Sequence, residues 1–186
     1  MMDQFLEQVV TKRNQTLQTI SYAFAWIVLI LMGLMAFLSF TSITAVVSQS
    51  GFGVDFFIVL AQLVVFGGLA WFMYIYKDRI KMEYEYTFTN SQLDFAQVFN
   101  NKKRKNLGTM NIKNLEACGL VSSGSFNRYI NMQGIKRTNW FLNREAELLY
   151  FYYQKDGQKR IIIIEPNEEM IALIKRNLPQ GVWQNN

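Results

Sequence analysis

Histidine is absent from this 186-residue chain, cysteine occurs once and proline twice. Without histidine there is no Ser-His-Asp or Cys-His nucleophile system and no imidazole for a metal ion. The lone cysteine, Cys118, forms no disulfide within the chain and no cluster for zinc or iron–sulfur. Two prolines among 11 glycines argue against a disordered or collagen-like chain. Charge is scarce as well, at 18% of residues. No cofactor or metal is therefore expected, and the acid–base groups of an enzyme are missing.

What the chain holds instead is apolar and aromatic: 51% hydrophobic residues, with 15 Phe, 9 Tyr and 4 Trp. The charges that remain are unevenly placed. Asp3, Glu7, Lys12 and Arg13 come first, residues 14–54 carry none, Asp55 interrupts, and residues 56–76 are again charge-free. Everything else that is charged lies from Lys77 onward, in a basic segment that accounts for the overall +5. That split predicts a helical membrane hairpin over residues 19–77, followed by a basic soluble domain.

A spanning helix needs roughly 20 apolar residues. Residues 20–47 and 56–76 meet that length, and Gly51 and Gly53 lie in the polar stretch that reverses the chain between them. The first run is longer than the apolar core of a cleavable signal peptide. Lys12 and Arg13 precede the first span, Lys77, Arg79 and Lys81 follow the second, and the loop has no cation. The positive-inside rule then predicts a multi-pass protein of the cell membrane with both termini cytoplasmic. Tyr22, Trp26, Trp71, Tyr74 and Tyr76 suit the inner interface. Gly33, Ala36, Gly67, Gly68 and Ala70 predict close helix packing, and Gln62 an interhelical hydrogen bond. No ionisable group except tyrosine lies in either span, which speaks against a transporter acting alone. In the N-terminal segment, residues 1–18, Met2, Phe5, Leu6, Val9 and Val10 share a face at helical spacing. They predict a short amphipathic helix on the membrane surface, with a frayed terminus as the plain alternative.

From Glu83 the period changes to two. Tyr84, Tyr86 and Phe88 alternate with polar residues, and residues 93–99, 107–112, 115–122, 148–153 and 160–164 read as further strands. Asp156-Gly157 between the last two is a hairpin signal. Residues 123–147 predict one or two short strands with loops. A C-terminal helix opens at Pro166 or Asn167, with Glu168 and Glu169 first, Lys175 and Arg176 last, and Pro179 as its stop. Its stripe of Met170, Ile171, Ile174 and Leu178 must pack on a sheet. The fold class is thus an α-helical membrane hairpin plus an α+β domain of antiparallel strands over residues 83–179, with 180–186 as a tail.

The order of these elements, with the segments YEYTFTNSQLDF, KKRKNLGTMNIKNLEAC and LLYFYYQKDGQKRIIIIEPNEEMIALIKRNLP, resembles the bacterial pleckstrin-homology-like domain. That resemblance implies a seven-stranded, half-open β-barrel or sandwich capped by a C-terminal helix. The whole chain is also similar to an uncharacterised family of small two-span membrane proteins from Gram-positive bacteria. It shares the segment from Asp3 to Arg13, EYEYTFTN from Glu83, and the run Lys103, Arg104, Lys105. The resemblance implies architecture and location and no site residues.

Lys102, Lys103, Arg104 and Lys105 form the most pointed local feature. Four adjacent cations at a hairpin tip predict contact with anionic lipid or a partner, against the plainer reading of a solvated tip. Nucleic acid is not expected, because no recognition motif accompanies the charge. Glu83 with Glu85, and Glu145 with Glu147, read as exposed polar faces, and Cys118 as a small buried hydrophobe. The expected function is a non-catalytic, membrane-anchored scaffold. Its partners would be membrane lipids, a protein or peptide, or a second copy of the chain. The alternative is an accessory subunit docking on a transporter or enzyme complex through the hairpin.

Overall fold

The computed structural model describes residues 4–185. It comprises two compact units. One is helical, Asn14–Lys81, and the other joins residues 4–13 to 82–185.

In the helical unit, α1 (Gln15–Ser50) is opened by Asn14, whose side chain accepts a hydrogen bond from the Leu17 amide at 3.0 Å. No proline or charge interrupts it, so it runs to Ser50, beyond the expected end at residue 47. The reversal is confined to residues 51–53, where Gly51 takes φ +62°. Helix α2 (Val54–Tyr76) returns with Asp55 in its first turn, where a negative charge suits the helix dipole. Both helices are long and apolar enough to cross a membrane. Large side chains such as Phe24, Ile30, Leu34, Val64 and Phe72 are left uncovered.

Two expectations about the packing of these helices are corrected. A Cβ at Gly33, Gly67 or Gly68 would meet nothing within 4 Å, so these glycines do not mark close approaches; Ala25 and Ser39 are the small residues of α1 that are buried. Gln62 is exposed and makes no interhelical hydrogen bond among the described residues. The ends of the hairpin do gather the aromatics and cations. Lys77 Nζ donates to the Tyr74 carbonyl at 2.8 Å and lies over the Tyr74 and Trp26 rings. Arg79 lies over Tyr76 and Lys81 over Tyr22.

The β unit contains two sheets. Strands β1 (Phe5–Val10), β2 (Met82–Thr89), β3 (Gln92–Phe99) and β4 (Lys103–Asn111) form an antiparallel sheet in that order. Asn90 and Ser91 in its two-residue β2–β3 turn, and Asn100 and Asn101 in its three-residue β3–β4 turn, have positive φ, as twisted hairpins require. The second sheet has the order β6 (Lys136–Trp140), β8 (Gln158–Ile164), β7 (Leu149–Lys155), β5 (Ala117–Leu120), β9 (Trp183–Gln184). Asp156 and Gly157 close the β7–β8 hairpin as expected, at φ 54° and 72°.

Tyr86, Phe88, Leu93, Phe95, Phe151 and Ile164 fill the core between the sheets. Helix α4 (Glu168–Asn177) covers it with Met170 and Ile174, both fully buried. Asn167 caps α4 by accepting from the Met170 amide at 2.8 Å. The charge order along α4 is the one anticipated.

The N-terminal segment departs from expectation. Residues 5–10 form a strand, paired with β2 from Phe5↔Thr89 to Val10↔Tyr84, where an amphipathic helix was predicted. Met2 falls outside the described residues. An isolated helix of this length is marginal in water, whereas the open edge of β2 offers a full ladder of hydrogen bonds. Leu6, Gln8 and Val10 turn inward, and Phe5, Glu7 and Val9 face out. The β unit therefore includes chain on both sides of the helical hairpin, and its tail adds β9 in parallel with β5.

Residues 123–147 hold one strand, β6, as allowed, but also the short helix α3 (Gly124–Ile130). Phe126, Tyr129 and Ile130, with Met132 and Ile135, cover Tyr150, Tyr152, Ile161 and Ile163. The second sheet is thus buried on both faces. That is why β7 and β8 read as unbroken apolar runs.

Candidate functional site

The described residues include no group of three His, Cys, Asp or Glu side chains able to hold a metal ion. Cys118 is fully buried in β5, and burial pushes its thiol well above its ordinary value, so it stays protonated and unreactive. Tyr86 is likewise raised by burial. Its hydroxyl donates to the Trp140 carbonyl and accepts from the Glu165 amide at 3.3 Å. These groups hold the fold together.

The basic run anticipated as a hairpin tip is mostly strand. The turn ends at Lys102, and Lys103, Arg104 and Lys105 lie in β4 opposite Phe99, Val98 and Gln97. All four cations are exposed. Arg104 Nε sits 2.9 Å from Glu85 Oε2, an ion pair by distance. The same Glu85 oxygen has no aligned hydrogen bond, so the pair is Coulombic only and, with Arg104 exposed, contributes about 0–1 kcal/mol. Cations along an outer strand also discourage edge-to-edge pairing with another chain.

A groove with a different lining lies elsewhere. Strand β4 pairs only with β3 and β6 only with β8, so the two sheets do not join along this side. Between them opens a groove of about 500 Å³. On the second sheet, Lys136, Arg160 and Tyr153 stand in one register row across β6, β8 and β7. The next positions inward on β6 and β8 are Thr138 with Ile162. Trp140 lies deeper and packs on Phe95 with ring centroids 4.7 Å apart. Lys155 lines the groove two positions beyond Tyr153, and from β4 come Leu107, Thr109 and Met110. The groove is thus graded from an apolar, aromatic floor to a cationic mouth.

Three cations, Lys136, Lys155 and Arg160, line this groove and no carboxylate does. None of the three has an ion-pair partner among the described residues. Arg160 Nε is buried without a hydrogen-bond partner. Such a site can attract and orient an anion. Its lining holds neither carboxylate nor imidazole.

Lys102, Lys103, Arg104 and Lys105 do not line this groove. Sequence reading missed Lys136, Lys155, Arg160 and Trp140 as a group, because each stands in a different local context and only the strand register brings them together. The available signal was alternation, with Lys136, Thr138 and Trp140 on one face of β6.

No curated protein and no solved structure matches the chain. The family model described as Bacterial PH-like domain (DUF6106) matches residues 2–184, nearly the whole length, including the two apolar helices. The helical part, the two sheets and the covering C-terminal helix agree with that description, and the chain belongs to this family of bacterial PH-like domains.

Proposed function

We propose that the protein is a non-catalytic binding module held in the cell membrane by α1 and α2, with the β unit on the cytoplasmic side. The observation that carries this reading is the pairing of β1 with β2. The whole helical hairpin is the connection between these neighbouring strands, so an even number of crossings is what lets both strands share one compartment. Cleavage after α1 would remove β1 from the sheet. The cations Lys12, Arg13, Lys77, Arg79 and Lys81 favour the cytoplasm as that compartment. The uncovered apolar side chains of both helices find in lipid the cover that the helical unit does not provide. The β unit brings a groove suited to recognition, with cations and no carboxylate in its lining.

Membrane extraction and cysteine accessibility test the anchoring. The chain should resist alkaline extraction. Phe52→Cys should react with an impermeant maleimide on intact cells, and Asn101→Cys only after permeabilisation. The reverse labelling pattern would overturn the orientation. For partners, replacing the hairpin by an unrelated two-span anchor and repeating a crosslinked pull-down separates the readings. A partner retained by the swapped chain is bound by the β unit. A partner lost would make the protein an accessory subunit that docks through its helices.

Contact of Lys102, Lys103, Arg104 and Lys105 with anionic lipid belongs to the same reading. A fluorophore at Asn101→Cys in nanodiscs should transfer energy more efficiently to headgroup-labelled anionic lipid than to zwitterionic lipid. Serine at all four positions should abolish the difference, and an unchanged difference would rule the contact out.

A further inference from the structure

The mouth of the groove gathers charge that no ion pair among the described residues neutralises. Lys136 and Arg160 are adjacent in register, on the same face, and Lys155 lies at the end of the neighbouring strand. Like charges held this close repel, and a closed core would not accumulate them. Lys136 and Lys155 are exposed, while Arg160 is half-buried with its Nε sealed from solvent and unbonded. Behind the cations the lining turns apolar at Ile162, Met110 and Trp140.

From these observations we infer that the groove binds a phosphate monoester carried on an apolar body, with the phosphate on Lys136, Lys155 and Arg160 and the apolar body against Trp140. A phosphate monoester carries about −1.5 to −2 charges near neutral pH and presents several acceptor oxygens. It therefore matches three cations better than a single carboxylate does, and Arg160 supplies the forked donors that suit phosphate. The volume of about 500 Å³ is that of a small-molecule site. Both a phospholipid with a monoester headgroup and a soluble aryl or acyl phosphate present this chemistry. The inference rests on the reading of the β unit as a binding module and is independent of where the helices reside.

The test is calorimetry on the full chain in zwitterionic detergent, with phenyl phosphate as probe. Saturable binding is expected, weakened by added salt. The double variant Lys136→Gln/Lys155→Gln, altered at two exposed positions that leave the core intact, should lose about tenfold or more in affinity. Inorganic phosphate should bind more weakly, since it leaves Trp140 uncovered. Absence of saturable heat, equal binding by the double variant, or equal binding of inorganic phosphate would each overturn the inference. Tighter binding of a polyglutamate peptide would overturn it in favour of a peptide groove. Competition by nanodiscs containing phosphatidic acid would assign the phosphate to a lipid, and its absence, with phenyl phosphate still bound, to a soluble ligand. Alkaline extraction reports on the anchor separately, so failure of the ligand and failure of the membrane reading remain distinct.

Discussion

Asn143 donates through Nδ2 to Glu165 Oε1 at 2.7 Å, just beyond the paired ends of β6 and β8. The same nitrogen reaches the Thr11 carbonyl at 2.9 Å, and Asn143 Oδ1 accepts from the Arg13 amide at 2.9 Å. Glu165 Oε2 in turn takes the amides of Leu142 and Asn143, at 3.1 and 2.9 Å. The segment after β1 is thereby tied to the loop after β6 and to the end of β8. Asn143→Ala breaks three of these hydrogen bonds while leaving the backbone amides on Glu165. The expected loss is about 1–3 kcal/mol, read as a lower midpoint of chemical denaturation.

The pairing of β1 with β2 places Glu7 opposite Thr87. Cysteines at these two positions should form an intramolecular disulfide on mild oxidation, because directly opposed strand residues lie within bridging distance. The wild-type chain, whose single thiol is buried, should form none. A helical N-terminal segment would leave both thiols free to alkylate.

Gly119 sits where β9 crosses β5. A Cβ there would lie 2.9 Å from the Gln184 carbonyl oxygen and 3.2 Å from the Tyr150 ring. Gly119→Ala should push the C-terminal strand away and cost about 1–3 kcal/mol. Hydrogen exchange at Trp183 and Gln184 should accelerate, while exchange in β2 and β3 should not.

Burial holds the Cys118 thiol above its ordinary 9.0 and the Tyr86 hydroxyl above its ordinary 10.0. In the unfolded chain both groups release their protons at those ordinary values, whereas in the folded chain they keep them. The stability they contribute is complete below about pH 9 and is lost as pH rises above it. Denaturation midpoints should therefore fall between about pH 9 and 11. Each group steepens the fall by up to about 1.4 kcal/mol per pH unit. Cys118→Ala should remove one such share, and an unchanged slope would contradict the assignment.

How legible the chain was depends on the range of the forces involved. Helices α1 and α2, the Asp156-Gly157 hairpin and helix α4 with its Asn167 cap follow from local composition and spacing. The N-terminal strand was not legible, because Leu6 and Val10 sit four apart and fit a helical face as readily as the inner face of a strand. Only the vacant edge of β2, far along the chain, decides between them. Helix α3 was hidden by its brevity and by Gly124 at its start; its role as a lid over Tyr150 and Ile161 is a tertiary fact. The groove was least legible, since Lys136 joins Arg160 and Lys155 only through the parallel pairing of β6 with β8.

A strand that precedes its partner by the whole of α1 and α2 imposes an order on biosynthesis. β1 leaves the ribosome first, but its neighbour β2 does not exist until both apolar helices have been made. If those helices are inserted as translation proceeds, completion of the sheet waits on a correct insertion. Under that reading, a chain that inserts only one of them would separate β1 from β2 across the bilayer and expose the edge of β2. Such a chain is one strand short and open to pairing with its neighbours, which gives quality-control proteases a feature by which to tell it from a properly inserted molecule.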